Sequence, residues 1–359
     1  MKIAIICDSL SGGGAQRVVL ALAKTFNADI YSGYKSSNSK ELKEVNIKSV
    51  LLKRRFSPYS IFSFYFLNIF KNDFIKEDYD IYIFSGNHCI SAVDKYKPNI
   101  WYCHSPSRML YVERERILKE EPFMRKINNT LCYWFLLKSD QIYAKKFDLI
   151  IANSNTTKSR IYNIYGKKTG EKVKIIYPPV NIEEFKWKGQ GDYYLSTARL
   201  IASKRVDLIV KAFMKMPNKK LIIVSSGSQE NYIRKITKDY SNIIIYGLVS
   251  EKKLQSLIGN CVATIYIPFN EDFGISPLEG MAAGKPCIGV KEGGVKETVI
   301  NKKTGYLCPE NPTVSNLIGA VNFMTPSVAI KMRTNCEEQA ELFSKEVFLK
   351  NMKNILADM

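Results

Sequence analysis

The stretch ATIYIPFNEDFGISPLEGMAAGKP, residues 263–286, decides the fold. ATIYIP is a short apolar run of strand length. Gly274 then permits a sharp turn, and Ser276, Pro277, Leu278 and Glu279 read as N-cap, N1, N2 and N3 of a helix. Serine and glutamate three apart form a capping box, and proline at N1 loses no hydrogen bond. Strand, glycine turn and capped helix make one βα unit, whose free N–H groups and positive dipole end suit a phosphate. Capping accounts for Glu279 but not for Glu271, a second carboxylate in the loop.

The same unit recurs in both directions. The first half offers strands at KIAIIC, YDIYIF, IWYC, FDLIIAN and KVKIIY; the second restarts with YYLSTA, KLIIVSS, IIIYG, ATIYIP and PCIGV. Strands alternating with helical stretches predict parallel sheets. The stretch YPPVNIEEFKWKGQGD, with Pro178 and Pro179, interrupts both periods. The expectation is therefore an α/β protein of two doubly wound domains, residues 1–177 and 178–335, facing across a cleft at the carboxyl ends of their strands. Residues 336–359 close the chain, EEQAELFSKEVFLKNMKNIL forming one terminal helix at helical spacing.

At 359 residues and 46% hydrophobic, the chain has room for two cores. No apolar run reaches the ~20 residues of a membrane span, and opening directly on KIAIIC predicts a cytosolic protein. The eight cysteines are scattered without a CxxC, which reads as small buried hydrophobes in a reducing compartment. The two histidines, His88 and His104, have no zinc-site spacing, so no metal and no cofactor is expected. A formal charge of +19 fits anionic partners. A basic nucleic-acid-binding protein is the reading from another class, but no nucleic-acid motif supports specific recognition.

Candidate site residues follow from position. SGGGAQR, with Gly12, Gly13 and Gly14, is a glycine turn opening a helix, and it matches neither GxGxxG nor a Walker A loop. His104, in WYCHSPSRM, stands at a strand's carboxyl end, where functional side chains collect. Arg199 and Lys204 follow the strand YYLSTA and supply the cations that a diphosphate needs where no metal neutralises it.

Together these motifs resemble retaining glycosyltransferase family 4, of the two-domain GT-B fold, in its mannosyltransferase-like branch. EDFGISPLE followed by GMAAGKPCIGVKEGGVKETVINKKTGYL carries the resemblance, with ARLIASKRVDLIVKAF, IIANSNTTKSRI, VKIIYPPVN and CHSPSRM in order. The resemblance covers most of the chain and is weaker over residues 35–98 and after 310. It implies that Glu279 binds the ribose of a nucleotide sugar and that Arg199 and Lys204 hold its diphosphate. Glu271 contacts the transferred sugar with the backbone N–H groups of Phe273, Gly274 and Ile275. His104 hydrogen-bonds a sugar hydroxyl, Gly13 and Gly14 line the acceptor side of the diphosphate, and the base lies near Gly247 and Val249. It also implies that the terminal helix packs back on the first domain.

The activity implied is transfer of a hexose, with mannose from GDP-mannose as the leading reading and a UDP-sugar donor as the alternative, to a glycan or polyprenyl-linked acceptor. Glu271 as nucleophile, and acceptor attack on the leaving-group face, are both open mechanisms. Two stretches favour an anionic membrane surface as partner: KRRFSPYSIFSFYFLNIFKNDF, beginning with Lys53, Arg54 and Arg55, and FMRKINNTLCYWFLLKSD. An ordinary core helix is the other reading of the first stretch; taken with the resemblance, the expectation is a peripheral protein on the inner membrane face.

Overall fold

The computed structural model describes residues 1–35, 40–52, 68–112 and 123–359. The chain forms two compact units, Met1–Pro179 with Phe348–Met359, and Val180–Val347.

Unit 1 is a seven-stranded sheet in the order β3-β2-β1-β4-β5-β6-β7, every pairing parallel. Its strands are β1 (Ile3–Leu10), β2 (Asp29–Lys35), β3 (Ile47–Leu52), β4 (Ile81–Ser85), β5 (Asn99–Cys103), β6 (Leu149–Ala152) and β7 (Val173–Ile175). The central strands are buried on both faces, as continuous apolar runs in parallel sheets are. One face packs Ile3, Ile5 and Tyr102 with Val18 and Leu22 of the helix Gly14–Phe26. The other gathers Phe84, Trp101 and Phe147.

Unit 2 is a six-stranded parallel sheet in the order β10-β9-β8-β11-β12-β13. The strands are β8 (Tyr193–Ser196), β9 (Lys220–Ile223), β10 (Ile243–Ile245), β11 (Thr264–Ile265), β12 (Cys287–Val290) and β13 (Gly305–Cys308). Both orders run outward in two directions from their first strand. The chain thus reverses its winding between β1 and β4 in unit 1, and between β8 and β11 in unit 2. Ligands of open α/β sheets bind at such switch points, outside the carboxyl ends of the strands.

All ten expected strands form, and β2, β3 and β13 are additional. β2 escaped the hydrophobic pattern because its polar groups are satisfied inside the fold. Tyr79 and Asn46 donate to the Asp29 carboxylate, and the Ser32 hydroxyl donates to the Tyr34 carbonyl.

Two further expectations are corrected. The terminal segment is two helices, Arg333–Glu341 and Lys345–Ala357, because Ser344 leaves helical geometry to bridge Val180 and the Val180 N–H donates to the Phe343 carbonyl. Residues 336–347 therefore belong to unit 2, while Phe348, Met352, Ile355 and Leu356 pack into the core of unit 1. The capping box is also absent. Ile275 already has helical backbone angles and occupies the N-cap, so Ser276 is the first helical residue and no side chain caps the helix Ser276–Ala282.

Candidate active site

In unit 2 the loops leaving β8, β11 and β12 meet around one ion pair. Lys204 ends a short turn after β8, and its ammonium donates to the Glu271 carboxylate and, at 2.9 Å, to the Tyr266 hydroxyl. The two charged side chains are only 12% and 17% exposed, so water screens them weakly. Arg199, exposed on the same β8 loop, acts electrostatically on Tyr266. Tyr266 is thus the common neighbour of Arg199, Lys204 and Glu271.

Backbone contacts fix the Glu271 loop. Gly274 turns at φ +87°, the Gly294 N–H donates to the Glu271 carbonyl at 3.0 Å, and the Phe269 N–H donates to the Ser203 carbonyl at 2.7 Å. Gly293 and Gly294 lie directly against this loop: a Cβ on Gly293 would stand 2.2 Å from the Glu271 carbonyl oxygen, and one on Gly294 2.3 Å from Phe273 Cα. Phe273 is buried against Phe343, Ile275 occupies the N-cap position of the following helix, and Glu279 is buried in its first turn.

Arg205, which follows Lys204, was not among the expected site residues. It ties three loops together through Glu292 at 3.2 Å, the Glu310 carbonyl at 3.0 Å and the Phe269 ring. Its left-handed backbone, φ +53°, carries no sequence signal in an arginine. Gly247 and Val249 lie at the exit of β10, on the edge of the sheet. Gly247 turns at φ +71° beside Arg234, and Val249 packs against the core. Among the described residues no contact joins these two to the Lys204–Glu271 pair.

Unit 1 carries the remaining candidates. Gly12 and Gly13 have φ of +91° and +87°, Gly14 begins the helix Gly14–Phe26, and the Gly12 N–H donates to the Gln16 side chain at 2.6 Å. A Cβ on Gly12 or Gly13 would meet nothing within 4 Å. These glycines serve the turn rather than a close contact within the unit. His104 directly follows β5, with its Nε2 2.8 Å from the Ser85 hydroxyl and its carbonyl accepting from Asn153. Burial lowers the imidazole to about 4, although the Asp8 charge opposes this, so the ring is neutral near pH 7.

Asp8, near the end of β1, is a second residue that sequence reasoning missed. Its carboxylate accepts the backbone N–H groups of Asn87, His88 and Cys89 and contacts Nδ1 of His88 at 3.2 Å. Burial opposes ionisation, but the His88 hydrogen bond and charge and those N–H groups outweigh it and hold the carboxyl below its ordinary value. Its position four residues before the glycine turn was the available signal.

Seven of the eight cysteines, Cys7, Cys89, Cys103, Cys261, Cys287, Cys308 and Cys336, are free and buried, and no cluster suited to a metal occurs among the described residues. No described helix is long and apolar enough to cross a membrane. Lys53, Arg54 and Arg55 lie outside the described residues. The second basic and apolar stretch falls on the helix Phe123–Ala144. There Trp134 and Phe135 are 54% and 50% exposed, with the Lys138 ammonium over the Trp134 ring.

Residues 12–184 match the model of Glycosyltransferase Family 4, and residues 179–343 that of the glycosyl transferases group 1. The chain is similar to the alpha-1,3/1,6-mannosyltransferase ALG2 of Dictyostelium discoideum, 26% identical over 99% of this chain and 98% of that protein. It is also similar to the ALG2 of Kluyveromyces lactis, 25% identical over 96% and 78%. Among solved structures, the fold is similar to Anabaena HepE in complex with UDP, with a TM-score of 0.75 and 16% identity over the whole of both chains. Sucrose-phosphate synthase from Thermosynechococcus elongatus has a TM-score of 0.77 and 17% identity, covering 100% and 99%.

Proposed function

Since the chain belongs to the GT-B glycosyltransferases, a family 4 domain followed by a group 1 domain, we propose that it transfers mannose from GDP-mannose to a lipid-linked glycan at a membrane surface, with retention of configuration. Unit 2 is the donor domain in this reading, and unit 1 the acceptor domain. The observation that carries it is the Lys204–Glu271 pair beside Tyr266, at the switch point of unit 2. Similarity to mannosyltransferases along nearly the whole chain favours mannose.

Breaking the bond from the anomeric carbon to the diphosphate oxygen builds positive charge on the sugar and negative charge on the leaving group. Fixed cations stabilise the second, and a fixed carboxylate the first. Arg199 and Lys204 take the diphosphate. Lys204 is already held by Glu271 and Tyr266, so it is positioned before the donor arrives and little reorganisation remains. Glu279 accepts from the ribose hydroxyls. Glu271 lies beside the sugar, with the N–H groups of Phe273, Gly274 and Ile275. An acceptor hydroxyl attacks on the leaving-group face, and a diphosphate oxygen takes its proton. No step calls for a metal.

Calorimetric titration with GDP and with UDP tests this reading. GDP binds saturably, and Glu279→Ala weakens that binding about tenfold or more, in the range of a lost charge-assisted hydrogen bond. Glu271→Ala and His104→Ala retain GDP affinity within about threefold and lose turnover. Preference for UDP would replace the donor, and equal loss of affinity in all three variants would overturn the roles.

A further inference from the structure

The Lys204–Glu271 pair is one side of a closed ring of contacts whose other side has no part in the donor chemistry. Loops leaving three adjacent strands, β8, β11 and β12, supply its members. Arg205 directly follows Lys204, and its guanidinium reaches the Glu292 carboxylate at 3.2 Å. Glu292 Oε1 accepts the backbone N–H of Asn270 at 2.5 Å, and Asn270 directly precedes Glu271. The side chains of Arg205 and Glu292 are each 16% exposed, so water screens the pair weakly. Lys204 thus holds the Glu271 side chain, while Arg205, through Glu292, holds the backbone from which that side chain departs.

Two backbone conformations mark this ring. Arg205 has φ +53° and Asn270 φ +52°, in the left-handed region that glycine adopts freely and other L residues only at a cost. Asparagine tolerates that region, but arginine has no local reason to occupy it. Turning the chain from Ala202–Lys204 into the helix Val206–Met214 would be easier for glycine. What arginine adds at this strained position is therefore its side chain. Besides Glu292, that side chain donates to the Glu310 carbonyl at 3.0 Å and lies over the Phe269 ring, 5.0 Å from its centroid. The Phe269 N–H in turn donates to the Ser203 carbonyl, so both ends of the short segment 269–271 are tied to the β8 loop. A guanidinium whose charge is balanced by a carboxylate within unit 2 has little to offer a leaving diphosphate.

We propose that Arg205 and Glu292 are positioning residues for Glu271. Together they set the backbone of residues 269–271, and so the place of the Glu271 carboxylate, and neither touches the diphosphate. This rests on the reading of Glu271 as the carboxylate beside the transferred sugar.

Arg205→Gly removes the side chain and relieves the left-handed backbone at once, so it separates positioning from the turn itself. In the transfer assay, with GDP-mannose and a polyprenyl-diphosphate-linked mannosyl glycan, this variant lowers kcat about tenfold or more. Its GDP affinity by calorimetry stays within about twofold of wild type. Arg205→Lys, which keeps a cation for Glu292, recovers part of the kcat. Glu292→Gln added to Arg205→Gly lowers kcat little further, because the two residues act on one loop. A second arm needs no donor: hydrogen exchange of residues 269–272, read by mass spectrometry, is faster in Arg205→Gly than in wild type, with β8 and β12 unchanged. Wild-type kcat in a folded Arg205→Gly variant overturns the proposal, as does an exchange rate of residues 269–272 indifferent to the substitution. A tenfold loss of GDP affinity also overturns it, by making Arg205 a ligand of the diphosphate. Failure of wild-type protein to bind GDP or UDP counts against the donor assignment instead, and the exchange arm then decides whether Arg205 sets the Glu271 loop.

Discussion

Asp140 carries the most adverse environment of any described carboxylate. It is 3% exposed on the helix Phe123–Ala144. One oxygen accepts from the hydroxyls of Tyr111 at 2.6 Å and Tyr165 at 2.8 Å, and the other has no partner among the described residues. Burial raises the carboxyl to about 6, against the tyrosine hydrogen bonds and the His88 charge that lower it. The folded state therefore binds more protons than the unfolded state between about pH 4 and 6, and stability falls as pH rises through that window. Asparagine keeps an acceptor for the tyrosines and has no charge to desolvate. Asp140→Asn should consequently gain on wild type in melting temperature as pH goes from 4 to 7, by a few degrees at neutral pH. Melting curves at the two pH values check this, and a difference that does not change with pH would remove the desolvation argument.

The loops between elements hold the Lys204–Glu271 geometry, and glycines let them touch. Gly293 has φ +58° and lies against the backbone of Glu271, so an alanine there meets both a strained conformation and a carbonyl oxygen that cannot move alone. Gly293→Ala should cost about 1–3 kcal/mol and displace Glu271 from Lys204. Turnover should fall by more than about tenfold, because a misplacement near 1 Å is costly at a reaction centre. A melting curve together with a transfer assay measures both, and wild-type turnover in this variant would mean that the Glu271 position is not critical. In unit 1 the corresponding close approach is Gly86 to Asp8. Each sheet thus has a glycine-permitted contact at its switch point, and each contact fixes a carboxylate.

At the scale of the whole molecule, the net charge of +19 and the exposed Trp134 and Phe135 pair are the features on which we propose binding to anionic surfaces, in which the rings would enter the interface and the cations meet the headgroups. Trp134→Ser with Phe135→Ser should reduce sedimentation with anionic liposomes several-fold and leave GDP binding unchanged. Equal partition of variant and wild type would leave the aromatic pair without a membrane role. The division into units, ten of thirteen strands and the residues at strand exits were legible in the amino-acid sequence, because apolar runs and glycine or proline turns act over a few neighbouring residues. Arg199, Lys204, Glu271 and His104 could be picked out for the same reason, each standing just after a readable strand. The sequence by itself therefore determined the two α/β units and the strand exits from which the candidate site residues were chosen. Only the tertiary structure decided which charges pair, since Lys204 meets Glu271 across 67 residues and Asp8 meets His88 across 80. It also moved the N-cap from Ser276 to Ile275 and broke the terminal helix at Ser344. Such pairings depend on which strand exits the sheet order brings together, and no local pattern of residues records that order.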